Sequence, residues 1–442
     1  MMGHHPGASS FAELTGGPNR GLGQAGGDNR CSAMARRPPS GVAVRTEEQV
    51  KDSEQGMKII REVLPIKEVL VVLDDVAKEQ HIEHLIGNYS LCSGSRSKDK
   101  VIALDIDGFD YFIEITNQEF ERLQNLRYLK LCNGTYVGDF AKCRSKLTWI
   151  YWRCPHRDFR VDNMYLNHLV VFELGSSGFT DDSKVWDLIK RAQNLRVISL
   201  TECDGLTTIP DFSKCLHLQR LTLAHCSRLK RIQSFIGHLQ SLIEIDIEGC
   251  IGLTELPEEL GALAKLQRFS LQGCYGLCEL PSSLENLTSL IELDLSSTGI
   301  AKSNKITRCN LRWIERLSRL KKLDLNLSNI CALPELASLS HLEELTVTEL
   351  IVSEQWAEFK KLPPSLKHLR IIMGTSSIEL IAPSNSKTVF KLDWCDRKDK
   401  LKAMKIASGF SGVDSIHANL EDRRLVVAGD IDAMEMLRKL MK

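Results

Sequence analysis

One short pattern, LxxLxLxxC, recurs at nearly constant spacing and constrains the fold more than any other feature of the sequence. It begins at Leu195, Leu218, Leu242 and Leu266, and a related copy, LIELDLSST, begins at Leu290. Successive copies are therefore 23, 24, 24 and 24 residues apart. A unit of this length cannot bury its apolar side alone, so consecutive copies are predicted to stack into one continuous solenoid.

Weaker copies of the pattern extend the array in both directions. Those downstream begin at Leu320, Leu342 and Leu366, and those upstream begin at Leu126, Leu147 and Leu169. The longer step of 30 residues between Leu290 and Leu320 predicts an insertion or a degenerate repeat, with a loop or a kink. The period lies within the range of roughly 20 to 29 residues that is typical of leucine-rich repeats, and the chain resembles that family.

The internal pattern of each copy predicts its local structure. The LxL segment is typical of a short strand whose leucines point into the coil while the intervening residues point outward. Pro210, Pro257 and Pro281 recur at one phase of the return segment, where proline favours the start of a short helical turn. We therefore predict an α/β fold, a curved leucine-rich-repeat solenoid with parallel strands on its concave face. Because aromatic residues make up only 6% of the chain, a mostly aliphatic core is expected.

The ninth position of the pattern is a cysteine in four consecutive copies: Cys203, Cys226, Cys250 and Cys274. This position follows the strand, where a small polar side chain can donate a hydrogen bond to the backbone of the turn. We therefore interpret the four cysteines as buried turn residues. A metal site is the alternative, but no CxxC pair accompanies them.

Charge and cysteine content restrict the compartment and the partners. The 57 basic and 57 acidic residues cancel, which argues against nucleic acid or an anionic membrane as the partner. No stretch approaches the ~20 apolar residues of a membrane-spanning helix. The 14 cysteines without a secretory signal indicate a reducing compartment. We expect a protein of the cytoplasm, with the nucleus as the alternative, that binds another protein.

The outward strand positions are the candidate partner-binding residues. One end of the concave face carries aromatic side chains suited to anchor a partner, and the middle carries charged ones. A cluster of three acids at 244–248 suits a basic partner surface. Two alternatives remain: a solvated face without a partner, and a register error that would bury some of the aromatics. The candidates are Tyr128, Trp149, Tyr151, Arg220, Glu244, Asp246, Glu248, Arg268, Glu292 and Asp294.

The N-terminal part of the chain contains a different signal. Residues 1–46 are rich in Gly, Ser and Pro and are predicted to be disordered. The stretch KEVLVVLDDV (67–76), between helical patterns at 54–64 and 79–87, predicts a buried strand that ends in two acids. Such an acid in a Walker B element helps to hold the magnesium of a nucleotide.

With GSR at 94–96, this stretch resembles the NB-ARC module of plant disease-resistance proteins that have a TIR domain. The resemblance implies that residues 47–98 are a partial module with Asp74 and Asp75 as its Walker B acids. It also implies that DKVIALDIDGFD (99–110) is the entry into the repeats, so the solenoid is expected over 99–381. No Walker A sequence lies upstream, so neither ADP nor ATP is expected as a cofactor.

The C-terminal tail has its own pattern. After a predicted linker at 382–387, residues 388–442 read as strand, helix, strand, strand and helix. This order, with GVDSI and LVVAGDID, resembles the ferredoxin-like heavy-metal-associated domain. Plant forms of that domain are sometimes integrated into resistance proteins as baits for pathogen effectors. The last strand of that domain is missing, which predicts an open sheet edge for strand addition. Its metal-binding members carry CxxC, but here Cys395 stands alone and Lys398 takes the second position, so no metal is expected.

The sequence therefore predicts a non-enzymatic recognition module in intracellular plant defence signalling. Its expected partner is a pathogen effector or a host guard target, bound by the repeats. The resemblance of the tail implies that it could serve as a bait for an effector. No nucleophile and base can be placed together as in a hydrolase. The alternatives are a metal-ion-binding protein that uses Cys395, a fragment of an ADP/ATP-switched receptor that uses Asp74, and the product of a truncated or fused gene.

Overall fold

The computed structural model describes a chain dominated by parallel strands. The described residues are 31–35, 69–73, 101–107, 113–143, 145–156, 160–299, 311–326, 335–348, 352, 362–374, 376–384, 387–394 and 396–441. Asp74, Asp75, Cys395 and the helices predicted at 54–64 and 79–87 lie outside them. Within the described part of the chain, no helix has the length and hydropathy needed to cross a bilayer.

The strands are short and evenly spaced along the chain. In chain order they are β1 (Cys31–Ala35), β2 (Val69–Leu73), β3 (Val101–Asp107), β4 (Ile113–Thr116), β5 (Tyr128–Cys132), β6 (Gly134–Asp139), β7 (Trp149–Arg153), β8 (Arg160–Asp162), β9 (Val171–Gly175), β10 (Val197–Thr201), β11 (Arg220–Ala224), β12 (Glu244–Glu248), β13 (Arg268–Ser270), β14 (Glu292–Asp294), β15 (Lys322–Leu325), β16 (Glu344–Thr348), β17 (His368–Met373), β18 (Ser376–Ser384), β19 (Lys387–Leu392), β20 (Val413–Asn419) and β21 (Arg424–Gly429). The α-helices are α1 (Asn117–Arg122), α2 (Val185–Lys190), α3 (Arg397–Ser408) and α4 (Ala433–Leu440).

One sheet of 18 strands runs through the molecule. Its spatial order is β1, β2, β3, β5, β7, then β9 to β19 in sequence, then β21 and β20. Pairing is parallel from β2 to β17 and antiparallel at both ends. Every one of the eleven sequence copies forms a strand that begins two residues after its first leucine, so the predicted leucine-rich-repeat solenoid is confirmed.

The strand at the N-terminal end corrects one expectation. β1 lies within the segment predicted to be disordered, yet it pairs antiparallel with β2. The prediction is therefore wrong for Cys31–Ala35. The physical reason is that the outer edge of β2 presents backbone amides and carbonyls that need partners, and a short segment of small residues can supply them.

The return segments lie on the side of the sheet away from the outward strand positions. They form short 3₁₀ turns at Ser234–His238, Glu258–Ala262, Ser282–Asn286, Arg312–Arg316 and Leu336–Ser338. Pro257 and Pro281 each sit directly before such a turn with extended backbone, as predicted. The 30-residue step does not interrupt the sheet, because β14 and β15 pair in register.

The cysteines at the ninth position of the repeat pattern lie in the turns after the strands. Cys203, Cys226, Cys250 and Cys274 are all buried, as predicted. Each thiol donates to a strand carbonyl of the preceding repeat; for Cys274 the acceptor is Ile247, with 3.2 Å between Sγ and O. Burial raises the pKa of the Cys274 thiol to about 12, so this thiol is protonated and inert at neutral pH.

The core is mostly aliphatic, and its aromatic side chains are concentrated at the N-terminal end of the array. There a second, three-stranded parallel sheet of β4, β6 and β8 backs the first repeats. A chain of edge-to-face aromatic contacts runs through this part of the interior; the ring centroids of Tyr136 and Trp152, for example, lie 4.8 Å apart. Its members are Phe120, Tyr136, Trp152, Phe179, Trp186 and Phe212. The expectation of a mostly aliphatic core is confirmed, with this aromatic chain as the exception within it.

The tail has the predicted element order. β19, α3, β20, β21 and α4 follow one another as strand, helix, strand, strand and helix. Both helices begin at an aspartate that caps them: Asp396 accepts from the backbone N–H of Lys398 at 2.7 Å, and Asp432 accepts from that of Glu435 at 2.9 Å. Such caps satisfy backbone donors that have no partner within the helix.

The tail sheet is closed on the side where an open edge was predicted. β18 pairs antiparallel with both β17 and β19, so it joins the last solenoid strand to the first tail strand. Ile378 and Leu380 on β18 are buried, whereas Glu379 between them faces outward. The prediction of an open edge here is wrong, because alternating apolar residues ahead of the tail supply the missing strand. The predicted linker at 382–387 is also wrong, since β18 extends to Ser384 and β19 begins at Lys387.

Candidate partner-binding face

The outward residues of the concave face fall into rows, because neighbouring strands pair in register. The first row alternates in charge along six strands. We call it the charge ladder: Arg220, Glu244, Arg268, Glu292, Lys322 and Glu344.

Neighbours in the charge ladder pair with one another. Nε of Arg220 lies 3.1 Å from Oε2 of Glu244, and Nε of Arg268 lies 3.2 Å from Oε2 of Glu292. The arginine side chains are more than half exposed, so each pair contributes at most about 1 kcal/mol to stability. The ladder is neutral as a whole. Four predicted site residues therefore satisfy each other and offer little net charge to a partner.

The adjacent row is different, because it carries acids without matching bases. Asp246, Ser270, Asp294, Asp324 and Thr346 stand at equivalent positions on β12 to β16. We call its three carboxylates, Asp246, Asp294 and Asp324, the aspartate row. Among the described residues, no ion pair includes any of them.

Partial burial makes two members of the aspartate row, Asp246 and Asp324, costly to ionise. Burial raises the pKa of Asp246, and the charges of Glu248 and Glu244 raise it further. Burial also raises the pKa of Asp324 to about 6, with a smaller contribution from Asp294 and an opposing one from the backbone N–H of Asn326. Carboxylates that are partly desolvated and close to like charges are stabilised by an incoming cation.

A depression of about 320 Å³ lies over this part of the face. Its walls combine the charge ladder and the aspartate row, from Glu244 on β12 to Thr346 on β16. Residues of the strands whose side chains point into the core, such as Phe269 and Leu293, also line it. The depression can accept long basic side chains, whose methylene stems would lie on the floor while their charges reach the aspartate row.

The aromatic candidates lie at the other end of the face. Tyr128, Trp149 and Tyr151 all point outward and are half-buried, whereas Ile150 and Trp152 fill the core, so the register assumed for these weaker copies is correct. The rings of Tyr128 and Trp149 meet edge to face, with centroids 5.3 Å apart. The strand order separates this end from β12 by five strand spacings, about 24 Å. The structure therefore does not bring the aromatic and acidic candidates together.

Two residues of the face were missed by the sequence analysis. Asp324 completes the aspartate row, and Glu173 accepts a hydrogen bond from Nε1 of Trp149 at 3.2 Å. Burial raises the pKa of Glu173, while that hydrogen bond lowers it. Like Asp246, both acids follow the first leucine of their repeat copy by four residues. That shared position in the repeat could have identified them from the sequence.

The remaining candidates have different surroundings. Glu248 points outward on β12, with its carboxylate 4.0 Å from Nε2 of His225. Within the ranges that the structure describes, no cluster of three His, Cys, Asp or Glu side chains is suited to hold a metal ion. The nucleotide candidates Asp74 and Asp75 and the metal candidate Cys395 have no described geometry.

Comparisons with known proteins agree with the fold. Residues 177–372 match the family described as leucine-rich repeat region. A 70-residue part of the chain, 16% of it, is 39% identical to 5% of the disease resistance protein RPP5 of Arabidopsis thaliana. A 58-residue part, 13% of the chain, is 50% identical to 30% of the heavy metal-associated isoprenylated plant protein 11 of the same plant.

The similarities are partial in length. The chain covers less than a third of each of these two curated relatives. A solved leucine-rich-repeat protein of Leptospira interrogans is 20% identical, with a TM-score of 0.44 over 62% of this chain and 67% of that chain. The chain thus contains a leucine-rich-repeat region, and parts of it are similar to plant disease-resistance proteins.

Proposed function

We propose that this protein is a non-enzymatic recognition module of plant defence, and that its concave face binds a protein through basic side chains. The aspartate row is the observation that carries the proposal. Asp246, Asp294 and Asp324 are partly desolvated at the depression and belong to no ion pair among the described residues. Partly buried like charges side by side raise the free energy of the unbound protein, and a cationic partner would lower it.

The energetics favour a cationic partner over a neutral one. In the free protein, burial and the charges of neighbouring acids disfavour the ionised forms of Asp246 and Asp324. A lysine or arginine placed in the depression would remove the repulsion and replace lost hydration. Desolvated charge pairs of this kind contribute to affinity and slow dissociation, whereas charges at the exposed rim mainly affect the association rate.

Similarity to a disease resistance protein supports the finer parts of the proposal. We propose that the partner is a pathogen effector or a guarded host protein, met in the cytoplasm or nucleus. Residues 47–98 would then be a remnant of a TIR-type NB-ARC module, and no ADP or ATP would act here. The chain would also lack a bound metal and would not recognise nucleic acid.

The test neutralises the aspartate row without changing its shape. A variant with Asp246→Asn, Asp294→Asn and Asp324→Asn would be compared with the parent protein in affinity capture from leaf extract, followed by mass spectrometry. The proposal expects a defined set of basic proteins to be captured by the parent and lost by the variant. A control with Glu255→Gln, Glu259→Gln and Glu421→Gln makes the same charge change at exposed positions off the concave face. Equal capture by all three proteins would exclude the aspartate row as the binding surface and overturn the proposal.

Metal binding is the second candidate function, favoured by the 50% identity to a heavy metal-associated protein. The residues fit a metal poorly. Lys398, an exposed residue in the first turn of α3, occupies the position of the second cysteine in the CxxC motif of metal-binding relatives. A single cysteine, with a lysine at the second ligand position of the motif, does not provide a soft-metal site. Metal analysis of the purified protein and of Cys395→Ser would decide, since a metal content that depends on Cys395 would establish the second function.

A further inference from the structure

The rows of the concave face continue into the tail. Because β18 bridges the two parts, the row of the aspartates extends from Thr346 on β16 to Arg370 on β17, Glu379 on β18, Lys391 on β19 and Arg424 on β21. The strand pairing therefore makes the solenoid and the tail one sheet with one continuous set of rows.

The outward residues of the tail lie on the same side as the aspartate row. The alternate positions, Leu369, Leu380, Phe390 and Leu425, pair with one another across the strands and are buried. Helices α3 and α4 pack against that buried side. No helix of the described residues packs on the opposite side of the tail sheet, and that side continues the outward face of the solenoid strands.

This helix-free face carries the opposite charge from the aspartate row. Nε of Arg370 and Nζ of Lys391 lie 3.6 and 3.3 Å from the two carboxylate oxygens of Glu379, so two cations share one anion. Arg424 is exposed, and no ion pair among the described residues includes it. We call Arg370, Lys391 and Arg424 the basic row. With Glu379 its net charge is +2, against −3 for the aspartate row.

A neighbouring row adds apolar surface. Ile381, Val389 and Val426 are half-buried on the same helix-free face, in register beside the basic row. Protein interfaces commonly have an apolar core bordered by a polar rim. This part of the surface therefore offers contact area as well as charge.

We propose that the helix-free face of the tail is the second half of the partner-binding surface, an inference that rests on the proposed function. One partner would place a basic segment over the aspartate row and an acidic segment over the basic row. Asp324 and Lys391 are four strand spacings apart, about 19 Å. The partner is thus a protein whose surface changes sign over that distance.

The continuous sheet supplies the rigidity that a two-part site needs. β18 is hydrogen-bonded on both edges, so a continuous ladder of paired strands joins the two charge rows. Two sites held at a fixed distance bind a matching partner with less loss of conformational freedom than two sites on a flexible tether. Opposite charges in the two halves also select one orientation of the partner.

Synthetic peptides and the full chain provide the test. The dipolar probe has a lysine block and a glutamate block separated by about six Gly and Ser residues, since an extended residue spans ~3.3 Å. The reference probe replaces the glutamates with glutamines. Affinities of both fluorescent peptides would be measured by anisotropy at low ionic strength, where exposed charges are weakly screened.

The parent protein is expected to bind the dipolar peptide about 3- to 10-fold more tightly than the reference peptide, as a few moderately exposed charge pairs allow. A variant with Arg370→Gln, Lys391→Gln and Arg424→Gln should lose this preference while still binding the lysine block. The matched control, Arg397→Gln, Lys398→Gln and Lys405→Gln, removes the same charge from exposed positions of α3 and should retain the preference.

Two results would overturn the inference, and they are distinguishable. If the basic-row variant keeps the preference as the control does, the tail face takes no part and the concave face alone remains the proposed site. If the reference peptide binds equally to the parent and to the aspartate-row variant, the proposed function fails and the inference fails with it.

Discussion

The thiol of Cys250 donates a hydrogen bond to the backbone carbonyl oxygen of Leu223, one repeat earlier in the chain, with 3.3 Å between the two atoms. Cys250 is fully buried, so no water can replace this donor. The same bond recurs from Cys226 to Leu200 and from Cys274 to Ile247. The cysteines therefore link each repeat to the one before it, at the point where every strand turns into its return segment.

Replacing this thiol should destabilise the solenoid. Cys250→Ala removes the donor and leaves a small cavity, and together these cost about 1–3 kcal/mol in the free energy of unfolding. Cys250→Ser should recover part of the loss, because a hydroxyl also donates. Urea denaturation followed by circular dichroism measures the change.

The control for this prediction is Cys278→Ala, because Cys278 is exposed and close in the sequence. It should leave the urea midpoint nearly unchanged. The exposed thiol of Cys278 donates within its own turn, to the carbonyl of Gly276. A loss for Cys278→Ala as large as that for Cys250→Ala would mean that the buried bond between repeats contributes nothing specific.

Protonation of Asp324 should stabilise the folded protein. Its folded-state pKa of about 6 exceeds the ordinary value of 3.8, so between these values the folded chain binds more protons than the unfolded chain. The free energy of unfolding therefore falls as the pH rises from about 4 to 6, as far as this group determines it. Asp324→Asn removes the ionisation and should raise stability at pH 7.5 by about 1 kcal/mol or more, with little effect near pH 4.

Urea denaturation of Asp324→Asn and of the parent protein at both pH values checks the sign. Asn326→Ala would serve as the control, since it alters a side chain next to the row and preserves the backbone N–H that Asp324 accepts. A variant that is less stable than the parent at pH 7.5 would show that the carboxylate is stabilised in the fold.

The hydrogen bond from Trp149 to Glu173 yields a prediction of the same kind. Trp149→Phe removes the donor that lowers the pKa of a carboxyl already raised by burial. The ionised form loses support, so the variant should be less stable at pH 7 by about 1.5–3 kcal/mol, and less affected at acidic pH where the carboxyl is protonated. Thermal unfolding at the two pH values measures the difference.

A double-mutant cycle separates the hydrogen bond from the loss of ring contacts, which include the edge-to-face contact with Tyr128. In a Glu173→Gln background, Trp149→Phe should show a smaller penalty that no longer depends on pH. An unchanged pH dependence in that background would assign the effect to another group.

The repeat strands could be predicted because their signal is local. Two leucines at a fixed phase of the repeat define each strand, as Leu221 and Leu223 do in β11, where both are buried. Such a strand can be predicted from its own residues, without knowledge of what packs against it. The side-chain pairing was not predictable in the same way. Arg268 pairs with Glu292, 24 residues away, only because neighbouring strands align in register.

The tail junction shows the same limit of local patterns. Proline and serine residues near 382–387 favoured a linker, and the alternation of Ile378 and Leu380 ahead of it was too short to decide. β18 exists because two unsatisfied edges, those of β17 and β19, flank it in space. That requirement becomes visible only once the solenoid end and the tail are placed side by side.

Leu380 should therefore matter for the tail as well as for the solenoid. It is buried on β18, in register between Leu369 and Phe390. Leu380→Ala removes apolar contacts on both sides and should cost about 2–5 kcal/mol. Hydrogen exchange measured by mass spectrometry should show lost protection in β17, β19 and β21 together.

The control is Glu379→Ala, which changes the outward neighbour of Leu380. It should cost at most about 1 kcal/mol in the free energy of unfolding and leave the exchange pattern intact. Lost protection in β17 with β19 and β21 unchanged would instead mean that the tail folds without β18 and that the two charge rows are not rigidly joined.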